Sequence, residues 1–346
     1  MNVINKAIED VDNVRIVNNL FWITGIVVAL LLSDAPAARQ STPYDGVAKS
    51  ASQLPRLKSL LVSHHGQLVL ERYFNGARAT QAANIKSASK SVISALVGIA
   101  IAKGHLKGAD QPIADFFPEL AKDPAAGKRR ITIEDLVTMR SGLASTSGRG
   151  YGAWVTSRNW VRYVLARPLE DEPGTRVEYS TGTTHLLSAI FTRATRQSTW
   201  QFAQAELAKP LGFSLAPWPT DPQGIYFGGN DMLITPKQMV SFGELYLNDG
   251  RVGDRQIIPK AWVERADDGV GRSRWGSDRE YGHGFWIRDF GGVKSYYAWG
   301  YGGQFIFIVP SKQLVIVTTS RADVSSERRD HLDQIYELAG QIVSAS

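Results

Sequence analysis

Ser87 and Lys90, three residues apart in Ser87-Ala88-Ser89-Lys90, are the side chains of this sequence with the clearest chemistry. At the start of a helix, positions i and i+3 share a face, about 5–6 Å apart at Cβ. A lysine buried there loses solvation, and its neutral amine becomes accessible near physiological pH. Such an amine can take the serine proton, which is the activation an ordinary hydroxyl needs. The helix N-terminus adds a backbone N–H and a positive dipole end for a developing oxyanion. The plainer alternative is that Lys90 snorkels to solvent while Ser87 only caps the helix. The residues after the pair weigh against it. Ser91 to Ala102 contains no charged residue, and a helix apolar on nearly every side is a buried one. A lysine entering such a helix is costly unless it has a task.

The elements that must hold this pair are expected to be of mixed type. Leu60–Ser63 and Leu68–Glu71 flank His64-His65-Gly66-Gln67 and read as a β-hairpin. A matching pair, Phe305–Val309 and Leu314–Val317, brackets Pro310-Ser311-Lys312-Gln313 near the other end, and Arg328–Ile342 comes next with a helical apolar stripe. Strands at both ends predict an α+β fold: one antiparallel sheet built from both termini and flanked by helices. Between them the signals are helical. Ser89–Lys103, Ile133–Met139, Trp160–Ala166, Thr184–Arg196, Trp200–Ala208 and Pro236–Asn248 are the expected helices. Residues 105–230 then form a helical insertion lobe.

Composition narrows the class. The 346 residues, 43% hydrophobic and 21% charged, fit one catalytic unit with a large core. The net charge of +6 and the pI of about 9.4 are spread over the chain, with no basic run longer than the three residues Lys128-Arg129-Arg130. They are read as surface character, and no nucleic-acid partner is expected. The absence of cysteine removes disulfides, thiol catalysis and thiolate metal sites. The six histidines do not cluster, so no metal and no cofactor is expected. A Gly-x-Ser-x-Gly elbow is also missing.

Residues 1–50 read as a separate segment, a signal peptide or N-terminal membrane anchor plus linker. Leu20–Leu32 is apolar, too short to span a bilayer comfortably, and Ala35-Pro36-Ala37 comes after it like a cleavage site. The preceding residues carry three acids against Lys6 and Arg15, an unusual n-region. Export to the periplasm or medium, with possible membrane association, is the expectation, and the catalytic domain is placed at 51–346.

Four further segments carry a resemblance. Ile131–Leu143, Pro173-Gly174-Thr175-Arg176-Val177-Glu178-Tyr179-Ser180-Thr181, Pro210-Leu211-Gly212-Phe213 and Gly228–Pro236 succeed Ser87-x-x-Lys90 in order. From about residue 55 onward the chain resembles the β-lactamase-related serine hydrolases: class C β-lactamases, penicillin-binding DD-peptidases, their esterase relatives and 6-aminohexanoate-dimer hydrolase. The resemblance implies a β-lactamase/transpeptidase-like fold, Ser87 as acylated nucleophile, Lys90 as base and Tyr179 as proton shuttle to the leaving group. It also implies two oxyanion donors, the N–H groups of Ser87 and Tyr301.

Two departures stand out. Thr181 occupies the place of the asparagine in the family's Tyr-x-Asn motif, and Ala298-Trp299-Gly300-Tyr301-Gly302-Gly303-Gln304 replaces its Lys-Thr-Gly strand. Without that lysine no cation is expected for a β-lactam or peptide carboxylate. Thr181, Trp299, Gly302 and Tyr151 are the expected substrate-binding residues, each with the plainer alternative of packing. The implied substrate is a small ester or linear amide. β-Lactamase, DD-peptidase and a non-hydrolytic penicillin or cell-wall peptide sensor are the alternatives.

Overall fold

The computed structural model describes residues 43–272 and 279–346. Both the expected signal or anchor and Ala35-Pro36-Ala37 lie outside the described residues.

The strands, in chain order, are β1 (Leu57–His64), β2 (Gln67–Tyr73), β3 (Ala83–Asn84), β4 (Leu233–Ile234), β5 (Arg251–Val252), β6 (Arg255–Gln256), β7 (Gly271–Arg272), β8 (Glu280–Tyr281), β9 (Trp286–Phe290), β10 (Val293–Gly300), β11 (Gln304–Val309) and β12 (Leu314–Ser320). Eight of them form one antiparallel sheet in the order β2-β1-β12-β11-β10-β9-β8-β7. Two short pairs lie apart from it, β3 with β4 and β5 with β6. The two expected hairpins are both present, and β1 pairs with β12, joining the ends of the chain at Val62↔Ile316. β11 and β12 are buried at every position. Their unbroken apolar runs match a sheet covered on both faces.

The helices are α1 (Asp45–Ser52), α2 (Ser89–Ala102), α3 (Ile133–Val137), α4 (Tyr151–Val155), α5 (Trp160–Leu165), α6 (Thr181–Thr195), α7 (Thr199–Ala203), α8 (Pro236–Leu247), α9 (Lys260–Val263) and α10 (Arg328–Ala345). One core contains Leu96, Leu186, Phe242, Ile306 and Val315, joining the sheet to α2, α6 and α8. A second, with Leu57, Phe307, Ile316 and Ile335, packs α1 and α10 on the other face.

Three expectations are corrected. Folding begins before residue 51, because α1 buries Val47 and Ala51 beside Tyr44 and packs on β1 and α10. Helix α6 starts at Thr181, three residues earlier than its apolar pattern indicates. The N–H groups of Thr181 and Gly182 are satisfied from a distance, by Ser147 Oγ and Thr146 Oγ1, each at 2.9 Å. A local cap, which is what a sequence reveals, is therefore not needed. The Trp200–Ala208 helix divides into α7 and a π-helical stretch over Gln204–Ala208.

Candidate active site

Ser87 lies in a 3₁₀ turn, Lys86–Ala88, that runs directly into α2. The turn is fixed from both sides. Pairing of Ala83 with Ile234 and Asn84 with Leu233 zips the approach onto the Asp231–Ile234 segment, and Ile85 N–H bonds the Met232 carbonyl at 3.0 Å. Lys86, immediately before the serine, has φ +51° and Asp231 has φ +65°, both in a region costly for side-chain-bearing residues. A compact network holds them there. Asp231 Oδ1 accepts from Asn84 Nδ2 at 2.8 Å and Lys86 Nζ at 2.9 Å, and Asn84 Oδ1 accepts the Lys86 N–H at 3.0 Å.

Lys90 enters the first turn of α2 and is 2% exposed. Its Nζ lies 3.1 Å from Ser87 Oγ, 3.3 Å from Thr181 Oγ1 and 2.6 Å from the Gly229 carbonyl. Burial pulls its pKa from 10.5 down to about 7, with Asp231 opposing the shift. At that pKa the amine is half neutral at neutral pH. A neutral amine has two N–H groups and one lone pair. As an ammonium Lys90 donates to all three; once it is neutral Gly229 O can still only accept, and with Thr181 Oγ1 taking the second N–H the lone pair is left for the Ser87 hydroxyl.

Tyr179 completes the group. Its phenol hydrogen-bonds Ser87, and its ring centre is 4.9 Å from Lys90 Nζ. Burial pushes the phenol well above its ordinary range, only partly offset by the Ser87 bond, so it stays protonated. The ring stacks on Trp286 at 5.4 Å and meets the edge of Tyr281 at 5.9 Å. Behind it, three consecutive hydroxyl residues hold three consecutive residues of the Tyr179–Thr181 segment. Ser145 Oγ donates to the Tyr179 carbonyl at 2.7 Å, Thr146 Oγ1 pairs with Ser180 Oγ at 3.0 Å, and Ser147 Oγ pairs with Thr181 Oγ1 at 2.9 Å.

Of the expected substrate residues, Thr181 is 4% exposed and its hydroxyl is held by Lys90 and Ser147. The structure therefore places its hydroxyl between Lys90 and Ser147. Gly302 turns toward the backbone of Arg321 and Ala322, where a Cβ would stand 2.7 Å from the Arg321 carbonyl. Its glycine serves that packing. Trp299 stacks on Phe305 and meets Trp286 at 5.6 Å. The Tyr151 hydroxyl accepts from Asn230 Nδ2 at 3.1 Å. Tyr301 begins the turn between β10 and β11, is 36% exposed, and lies under the Arg328 guanidinium at 4.6 Å. Gly300 just before it presses on the chain leading to Ser87, since a Cβ there would meet the Ile85 carbonyl at 2.0 Å.

Sequence reasoning passed over Gly229, Asp231, Lys86, Ser145–Ser147 and Trp286. Gly229 had a readable signal, a Gly-Gly pair before a helix, because a Cβ there would meet the Thr181 carbonyl at 2.8 Å.

Known proteins share this fold. The family model described as Beta-lactamase matches residues 58–341. Among solved structures, a putative β-lactamase from Bacteroides dorei superposes with a TM-score of 0.73 at 18% identity, covering 87% of this chain and 97% of its own. A putative 6-aminohexanoate-dimer hydrolase from Bacillus anthracis gives 0.66 at 22% identity, with 84% and 80% covered. A family VIII carboxylesterase also gives 0.66, at 16% identity, with 86% and 98% covered. No curated protein matches the sequence. With Ser87, a buried Lys90 and Tyr179 in contact on this fold, the chain belongs to the beta-lactamase family of serine hydrolases.

Proposed function

We propose that this protein hydrolyses a small ester or linear amide through an acyl-enzyme on Ser87. The observation that carries the reading is Lys90: a buried amine with a pKa of about 7, 3.1 Å from the serine oxygen. Lys90 Nζ takes the Ser87 proton as Oγ attacks the carbonyl carbon. The negative oxygen is received by the N–H groups of Ser87 and Tyr301; the contact of Gly300 with Ile85 supports that register. The proton then passes from Lys90 through the Tyr179 hydroxyl to the leaving oxygen or nitrogen, and the carbon–leaving-group bond breaks. Water repeats the sequence: one proton goes to Lys90 and on to Ser87 Oγ, and the acid departs. Because its phenol is held protonated, Tyr179 relays a proton and does not act as a standing phenolate.

The preference for esters and linear amides rests on the missing Lys-Thr-Gly cation and on the aromatic residues Tyr151 and Trp299. Wild type and Ser87→Ala, incubated with p-nitrophenyl acetate, nitrocefin and the 6-aminohexanoate dimer, test this by intact mass and product release. An adduct and turnover in wild type, both absent in Ser87→Ala, are expected. Neither in wild type would remove Ser87 from the account, and a lasting adduct without turnover would favour the sensor. Export, with or without a retained anchor, belongs to the same proposal and rests on Leu20–Leu32 and the Ala-x-Ala pattern. A full-length product recovered only from cytoplasm would refute it.

A further inference from the structure

We infer that the buried pair His185–Asp221 is a positioning device for Lys90, acting through the backbone of Gly228 and Gly229. The inference rests on the proposed role of Lys90 as base.

The chain of contacts is short and its donor directions are forced. Asp221 Oδ1 accepts the N–H groups of Gln223 at 2.8 Å and Ile225 at 2.9 Å, and Oδ2 lies 3.2 Å from His185 Nε2. These bonds hold the carboxyl below its usual range although burial opposes them. An ionised carboxylate only accepts, so the ring proton sits on Nε2. Nδ1 is then an acceptor, and the Gly228 N–H points to it at 3.4 Å. One residue on, the Gly229 carbonyl takes Lys90 Nζ at 2.6 Å, the shortest of the three lysine contacts.

Burial keeps the ring neutral by lowering its pKa, with Asp221 pulling the other way. A charged ring would set a second N–H against that of Gly228. Trp154, Trp160 and Phe227 surround the imidazole edge-to-face at 5.9, 5.3 and 6.0 Å. The glycine pair is pressed onto α6: a Cβ on Gly228 would stand 2.3 Å from the Thr184 carbonyl. His185 is fully buried and Asp221 is 4% exposed, so neither meets substrate. What they can do is set where a carbonyl oxygen stands, and that oxygen decides which way the Lys90 lone pair faces.

The competing account is a core pair that satisfies itself. The two differ in what they do to Lys90. The charged and titratable groups facing Lys90 are Asp231, paired with Lys86, and Tyr179; none changes when His185 is replaced. Since the ring is neutral, removing it takes away no charge. Any movement of the Lys90 midpoint in the His185 variants then reports geometry.

The experiment measures the rate of Ser87 acylation by p-nitrophenyl acetate against pH, with melting temperature, for wild type, His185→Leu, His185→Asn and Asp221→Asn. In His185→Leu the loosened Gly229 carbonyl supports the ammonium less. The expected result is a plateau rate at least tenfold lower and a midpoint moved to lower pH. His185→Asn keeps an acceptor near Nδ1 and should recover most of both. Asp221→Asn keeps the volume but lets the ring proton move to Nδ1; because it also removes a negative charge, only its plateau is read, which should fall like that of His185→Leu, and it serves if that variant does not fold. Variants with lowered melting temperatures but wild-type plateau and midpoint would overturn the inference. A wild type that is not acylated at all would instead refute the proposed function.

Discussion

The pH dependence of Ser87 acylation tests the site most directly. In the described arrangement the reactive form carries a neutral Lys90, whose pKa burial brings from 10.5 to about 7. At pH 6 only about one lysine in eleven is then neutral, and at pH 8 about ten in eleven, so the acylation rate should rise about tenfold and level off by pH 8–9. An unperturbed amine would be neutral in only about one molecule in 3,000 at pH 7, and the rate would climb tenfold per unit through pH 10. The curves differ most between pH 8 and 10, flat in one case and steep in the other. The assay is the burst of p-nitrophenol from p-nitrophenyl acetate, followed at a pH-independent wavelength and checked by intact mass. Asp231→Asn supplies the internal control. Asp231 raises the Lys90 pKa, so its loss should move the midpoint below that of wild type. A rate still rising tenfold per unit above pH 9, or an Asp231→Asn midpoint moved upward, would refute the assignment of Lys90 as the base.

Two further outcomes are expected. Tyr179→Phe keeps the ring on Trp286 but removes the shuttle hydroxyl, so acylation by the 6-aminohexanoate dimer, whose amine must leave protonated, should fall about 10²–10⁴-fold with little change in melting temperature. Lys90→Met should abolish acylation and flatten part of the stability–pH curve. Between about pH 7 and 10.5 the unfolded lysine holds a proton that the folded one has lost, so its contribution makes wild type more stable as pH rises. That gain should amount to about 3 kcal/mol from pH 7 to 9.5 and be missing from the methionine variant, as read by urea unfolding at both pH values.

What could be read in the sequence depended on how locally each feature is encoded. Ser87 and Lys90 are visible because a three-residue spacing and an uncharged run state both proximity and burial. β11 and β12 are visible because strands buried on both faces carry unbroken apolar runs, whereas β10, Val-Lys-Ser-Tyr-Tyr-Ala-Trp-Gly, has no clean alternation and was not expected as a strand. Tyr179 was legible only through its resemblance to a known motif, since Tyr-Ser-Thr by itself has no chemical signature. The groups that aim Lys90 left still less trace. Gly229 acts through a carbonyl that every residue possesses, from 139 positions away, and Ser147 reaches Thr181 across 34 positions. The substitution of Thr181 for an asparagine illustrates the gap. Read as a residue type, it has lost a group for substrate; read in place, its hydroxyl occupies one side of the Lys90 amine and leaves the lone pair for Ser87. Under the proposed mechanism the same hydroxyl takes part in activating the nucleophile, and a threonine there is compatible with hydrolysis because it touches Lys90, the proposed base.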